Sequence, residues 1–480
     1  MTTYFIDSSG GSDRNEGLGE GSAWRTLSHA FKNEFRPGDR ILLRKGSAWN
    51  EPVRLRGRGS PANPLFLGTW GEGPRPLING GEAHAISAPE PVSGWHICGL
   101  ELTSTNSRNP GREIRGGTCG IFLSQEEPSE SLVVEDCLIH DTSGPGIFLV
   151  AGGPPAPVFA GVRVENCEVH HASAGIHFRA EPLTPDYFPG FRVAHCTVHE
   201  TGGDGITPWC GTGGVVEHCK AFRTGLGVGE KDYSPVGIWY AFARDCIIQH
   251  CESYENHPGG KKADGGGFDV DGGATGCILQ YNYSHDNDGA GFLLCSFDPV
   301  KWPTVDCTCR YNLSVNDGLA NGFSSIFFWQ AQRCSAYNNT CITRTTPGLK
   351  FISETRDNLI ANNIFFNESG EDVPLLQSEF KLAENRFFNN IYGRLGGAPR
   401  FEILKESLAD PARLMELTGG RNELAMDPLL AGIKSGNYRL GQDSPGRGSG
   451  LVIPGQGDRD YFGVPLASGE RPDRGYARFV

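Results

Sequence analysis

The sequence predicts a right-handed parallel β-helix, an all-β solenoid, and three observations carry that reading. A glycine-led phrase recurs along the chain: Gly120-Ile-Phe-Leu, Gly146-Ile-Phe-Leu, Gly175-Ile-His-Phe, Gly205-Ile-Thr-Pro, Gly237-Ile-Trp-Tyr, Gly267-Phe-Asp-Val, Gly291-Phe-Leu-Leu and Gly322-Phe-Ser-Ser. Successive starts lie about 24–32 residues apart, inside the period range of solenoids. Each phrase is preceded by a second short strand that follows Cys or Asn and often closes on His, as in CLIH, CEVH, CTVH and NYSH. Composition agrees, because 67 glycines and only 3 methionines in 480 residues suit many short strands joined by tight turns. No helical period separates the strands, and two or three short strands per repeat without a helix is the grammar of a β-helix.

Taken in order, residues 1–94 read as an N-terminal cap with the first rungs. TYFIDSSGGSDRNEGLGEGSAWRTLSHAF joins a strand, a Gly/Ser/Asp loop and a short amphipathic helix whose cap is Thr26 or Ser28. Such a helix is suited to closing the open end of a repeat core. Residues 95–390 form the repeating core. Residues 391–480 read as an irregular closing segment, with FEILKESLADPARLMELTG helical by its period.

Eight of the fifteen cysteines fall into two recurring series. Cys137, Cys167, Cys196, Cys219 and Cys251 end the phrases VVEDC, VRVENC, FRVAHC, GVVEHC and IIQHC, with Cys246, Cys277 and Cys307 as a second series. One cysteine per repeat in one phase reads as a stacked column of small buried side chains rather than as disulfides or metal ligands. Later the position passes to Asn282, Asn312, Asn338 and Asn362, which could hydrogen-bond from rung to rung. His140, His170 and His199 read as turn or flank residues of successive rungs rather than as metal ligands.

A net charge of −13 argues against nucleic acid or an anionic membrane surface as partner. No apolar run approaches the roughly 18–20 residues of a membrane span. The opening MTTYFID carries no charged and apolar leader, so the expected location is secreted or periplasmic with a leader already removed, the cytoplasm being the alternative.

The opening YFIDSSGGSD…WRTLSHAF, the rungs, and the closing DPLL…GNYRLGQDSPGRG…DYFGVP…PDRGYA resemble the bacterial parallel β-helix proteins of the pectin-lyase-like superfamily. The resemblance covers nearly the whole chain. It implies a carbohydrate substrate, by analogy of fold, without choosing among the hydrolases, lyases, epimerases and tailspikes that share the fold.

Strand alternation then assigns the outer face. With each glycine as position one, positions three and five point outward and bring His177, Arg179, Trp209, Trp239, Asp269 and Asp271 onto successive rungs, as in a sugar groove. Asp269 and Asp271, at i and i+2, have Cα atoms about 6.6–7 Å apart. Inverting glycosidases hold their carboxyls about 6.5–9.5 Å apart and retaining ones about 5–5.5 Å, so inversion is slightly favoured. Asp204 is the third candidate catalytic carboxylate. Lys262, Asp264, His285 and Asp288 are expected to contact substrate, against a competing role for the acids in tight turns.

The expected function is therefore glycoside hydrolysis of a polysaccharide or oligosaccharide. The alternatives are β-elimination on a uronic acid polymer and non-catalytic carbohydrate binding. Elimination would use His177, Arg179, Lys261 or Lys262, and Ca²⁺ could bind Asp264, Asp269, Asp271 and Asp288. No cofactor is otherwise called for. The excess of acids over bases between Lys261 and Asp288 favours a neutral sugar, and the oligomeric state stays open.

Overall fold

The computed structural model describes residues 1–104, 117–154, 158–227, 234–259, 263–467 and 469–479. It divides into two compact units, Met1–Tyr233 with Gly259–Lys261, and Ser234–Pro258 with Lys262–Val480. Each is built from three sheets of short, mostly parallel strands, the right-handed parallel β-helix that the repeats predict.

In the first unit the interior is a set of single-residue columns. Val134, Val164, Val193 and Val216 pair in register across one sheet. Ile139, Val169, Val198 and Ala221 do so in the second, and Ile121, Ile147, Ile176 and Ile206 in the third. All are fully buried. β-Branched side chains suit this packing because like stacks on like at the strand spacing.

The corner between the first two sheets explains the cysteine phrases. Asp136, Asn166, His195 and His218 hold φ between 51° and 55°, a left-handed conformation that Asn, Asp and His tolerate better than most. The next residue turns inward. There the thiols of Cys137, Cys167, Cys196 and Cys219 touch in sequence. Each also donates to the carbonyl two residues back, at 3.3 Å. All fifteen cysteines are free thiols.

The N-terminal helix is the single turn Leu27–Ala30, capped by Thr26, whose Oγ1 accepts from the His29 N–H at 3.1 Å. Ser28 is not the cap; its N–H donates to Glu51 Oε2 at 2.8 Å. Leu27 and Ala30 are buried, and Phe31 and Phe35 meet edge to face at 5.7 Å.

In the second unit the cysteine column ends at Cys251 and amides replace it. Asn282 Oδ1 accepts from the Cys251 N–H at 3.0 Å, and Asn312, Asn339, Asn363 and Asn390 repeat the contact at 2.9–3.0 Å. Each of the first four Nδ2 groups donates to a carbonyl of the preceding coil at 2.9–3.0 Å. Glu423 receives the last rung, its Oε1 accepting from Asn390 N at 3.2 Å, and burial lifts its carboxyl to about 7.

Three sequence readings need correction. The ladder residues are Asn339 and Asn363, not Asn338 and Asn362. In each Asn–Asn pair the first takes the left-handed corner, with φ of 54° and 57°, and the second turns in. Gly322 does not begin a strand phrase, since Phe292 pairs with Ile326 and the strand is Ile326–Trp329. FEILKESLADPARLMELTG is not one helix. Phe401 and Ile403 alternate into the core within strand Arg400–Ile403, which pairs antiparallel with Glu406–Leu408. The helix is only Pro411–Thr418, capped by Asp410 and closed by Gly419 at φ 66°.

Parallel pairing runs past Asn390, through Ile391–Arg394 to Leu424–Ala425. The closing segment then lays Tyr438, Leu440, Tyr476 and Ala477 against Val315, Ile342 and Ile364, covering the outer side of that sheet. Among the described residues no helix is long and apolar enough to cross a membrane.

The ladder predicts a cost for breaking it. Asn312→Ala leaves a buried N–H and a buried carbonyl unpaired, and should lose about 1–3 kcal/mol or more of stability in chemical denaturation. Unchanged denaturation would show that the ladder is not stabilising.

Candidate active site

The site is built on strand Gly266–Val270 of the second unit and the turns at its two ends. A second amide ladder fixes its approach. Asn287 Oδ1 accepts from Asn256 N and Nδ2 at 3.1 and 2.7 Å, and Asp317 Oδ1 accepts from Asn287 N and Nδ2 at 3.2 and 2.8 Å. Ser314 Oγ donates to the other Asp317 oxygen at 2.6 Å. Gly267 is glycine because a Cβ there would stand 2.3 Å from Ser284 Oγ and 3.0 Å from Asn287 Nδ2. The strand thus lies directly on the ladder.

Asp264 precedes the strand in a left-handed turn with φ 59°. Its carbonyl accepts from Asn321 Nδ2 at 2.5 Å. Asn321 N in turn donates to the Asp288 carbonyl at 3.3 Å. The Asp288 carboxylate pairs with His257 Nδ1 at 2.8 Å. Asp264 and Asp288 are therefore joined through one asparagine.

Asp269 lies in register between Trp239 and Leu293 and is 2% exposed. Asp271 is not inside the strand, which ends at Val270. Its N–H donates to the Tyr240 carbonyl at 2.8 Å, and its Oδ1 accepts from the Gly272 N–H at 2.6 Å. Asp271 thus opens a turn as well as carrying a carboxyl to the outer face, so local turn chemistry does contribute to its presence. The residue keeps a partly exposed edge while its carboxyl group is enclosed by protein. Burial raises that carboxyl to about 6, against hydrogen bonds from the Cys295 thiol and the Gly272 and Phe297 amides that favour the charged form.

Cys295 was visible at position five of its phrase, but nothing in the sequence gave it a role. Burial pushes its thiol well up, and the carboxyls of Asp271, Asp269 and Asp264 add to the effect. Of the three acids, Asp271 is the one hydrogen-bonded to this thiol. Beyond it the outer face is apolar: Leu293 pairs with Phe327 and Cys295 with Trp329, Phe323 stacks on Phe327 at 4.5 Å, and Trp329 is half-buried.

His285 is not brought to this group. It ends strand Tyr283–His285 of a different sheet, where its ring stacks on Tyr254 at 4.6 Å and bonds Asp286 at 3.0 Å and Glu252 at 3.4 Å. Burial alone would lower its pKa, but the two carboxylates overcome that and raise it to about 9. Lys262 lies outside the described residues.

His177, Arg179, Asp204 and Trp209 belong to the first unit. His177 points outward as the register requires, yet it is 4% exposed, between Phe148 and Trp209 and bonded to Thr207 Oγ1. Arg179 is held by Glu181 at 2.5 Å. Asp204 is 1% exposed, and its carbonyl accepts from Gly175 N. Trp209 is half-buried, whereas Trp239 is 8% exposed. Outward direction in these strands does not imply open solvent. His140, His170 and His199 are strand-end residues whose rings stack at 5.3 and 5.1 Å.

Comparison with known proteins adds to this picture. No family pattern matches the sequence. A curated lacto-N-biosidase of Bifidobacterium longum is 23% identical, over 99% of this chain and 36% of its own length. This chain thus spans about a third of that relative. Among solved structures, the GH136 lacto-N-biosidase of Eubacterium ramulus superposes with a TM-score of 0.61 at 20% identity, covering 75% of this chain and 67% of the other. XylC in complex with xylose covers 100% and 98%, with a TM-score of 0.57 at 11% identity. The structural likenesses show the β-helix fold.

Burial of Asp317 makes a further prediction. Its carboxyl is raised to about 6, above its unfolded value, so its contribution to stability is complete below about pH 4 and is lost as pH rises through 6. Asp317→Asn keeps the acceptor for Asn287 and removes that loss. It should gain on the order of 2–3 kcal/mol over wild type at pH 8 and little at pH 4, by denaturation at the two pH values. Equal stability at both pH values would refute the assignment.

Proposed function

We propose that this chain is a glycoside hydrolase acting on a neutral oligosaccharide or polysaccharide. The observation that carries the reading is three carboxyls on strand Gly266–Val270 and at its two ends, Asp264, Asp269 and Asp271, the last hydrogen-bonded to the Cys295 thiol and raised to about 6. A glycosidase needs one carboxyl protonated near neutral pH to donate to the leaving oxygen and one ionised to assist attack. Asp271 is suited to the first role. Asp264 takes the second, because it keeps an open edge while Asp269 is 2% exposed. This moves the second catalytic carboxylate from Asp269 to Asp264 and leaves Asp269 as a buried support. Asp204 and the other first-unit residues take no part in the assignment.

The half-buried Trp329 beside Cys295 offers an aromatic face for a sugar ring. The likeness to lacto-N-biosidases supports hydrolysis and makes their oligosaccharides the first substrates to try. Elimination is less well supported, because Arg179 is paired with Glu181 and His177 is buried and bonded to Thr207, while Lys261 and Lys262 lie outside the described residues.

The test is an oligosaccharide panel scored for reducing ends and for ultraviolet absorbance of unsaturated products. Reducing ends without new absorbance are expected, and absorbance rising with product would overturn hydrolysis. Asp264→Asn and Asp271→Asn should each lower kcat by about 10²–10⁴-fold without loss of thermal stability. Full activity in either variant would remove that residue from catalysis.

A further inference from the structure

A second group of chemically active side chains lies in the first unit. Strand Trp95–Cys98 pairs with Val133–Glu135, so Val133 sits opposite His96 and Glu135 opposite Cys98. His96 and Cys98, at i and i+2, share the outer side of their strand, and Glu135 faces the same side. His96 Nε2 stands 3.0 Å from Glu135 Oε2, and the Cys98 Sγ lies within 4.8 Å of both. The geometry points to a binding site for zinc or a similar borderline divalent cation, held by His96, Cys98 and Glu135 with its fourth position open.

Three observations support this. Imidazole, thiolate and carboxylate together form a donor set that zinc uses. Bonds of about 2.0 Å to nitrogen and oxygen and about 2.3 Å to sulfur would set the ligand atoms about 3.3–3.5 Å apart, a small movement from the separations present. The cysteine itself is anomalous: fourteen of the fifteen are buried, whereas Cys98 alone is half-buried. The His96–Glu135 contact would account for two of the three residues, but not for a thiol turned outward beside them.

The surroundings are compatible with a cation. The ring of Phe66 meets His96 edge-on at 5.1 Å and 90°, which limits imidazole rotation. Arg75, a nearby positive charge, is neutralised by Asp136 at 2.6 Å. Glu165, next to Glu135 along the sheet, is held by Arg163 and Arg192 and is not available as a fourth ligand. Burial raises the free Cys98 thiol to about 11, so binding must displace its proton to solvent and strengthens as pH rises. Once formed, the site would fasten two adjacent strands.

The experiment is titration of the full chain, reduced, with cobalt(II) chloride and then zinc chloride. One equivalent of cobalt should give visible d–d bands and a near-ultraviolet thiolate-to-cobalt band, release at least one proton, and be displaced by zinc. The thiolate band should vanish in Cys98→Ser with the circular dichroism of the fold retained. A wild type without that band, or Cys98→Ser with it unchanged, overturns the site. If Cys98→Ser does not fold, Glu135→Gln, which keeps the thiol, decides: weaker cobalt binding supports the site and unchanged binding refutes it.

Discussion

Everything in the second unit depends on inward-facing amides that satisfy one coil from the next. A β-helix must turn its backbone at every corner, and each turn leaves buried N–H and carbonyl groups that strand pairing cannot reach. The Asn282–Asn390 column supplies both a donor and an acceptor at each step. In the first unit thiols fill the equivalent corner, giving one weak donor each and mainly packing. The second column, Asn256–Asn287–Asp317, matters most for chemistry. It supports the strand that carries Asp269 and leads into Asp271, and it does so with a carboxylate whose ionisation is itself costly.

Around that strand the protein assembles acids in unequal environments. Asp269 is sealed between Trp239 and Leu293, Asp271 is enclosed at its carboxyl but open at its edge, and Asp264 sits in a left-handed turn tied to Asp288 by Asn321. Different burial gives different proton affinities from one side-chain type, which is what acid–base catalysis needs at a single pH. The apolar cluster of Leu293, Phe327 and Trp329 lowers the local polarity on one side of this group. A site of this kind donates a proton readily and binds a second negative charge poorly, which fits a neutral sugar.

Much of this was legible in the sequence because repetition exposes registration. The glycine phrases gave the pairing of His177 with Thr207 and of Trp239 with Asp269 correctly. Two limits had physical causes. An Asn–Asn pair has two residues that could face inward, and only the left-handed conformation of the first decides. Alternation tells direction but not cover, so His177, Trp239 and Asp269 point outward and are still buried. The roles of Cys295 and Asn321 had no local signal, because both act through residues distant in sequence.

The central claim is that a carboxyl raised by burial serves as the proton donor, and the pH dependence of kcat/KM on a cleaved oligosaccharide tests it most directly. A donor at Asp271 predicts activity that falls as pH rises past about 6. A rate that climbs through pH 6 to a plateau near 8 would instead require a deprotonated base and would contradict the account.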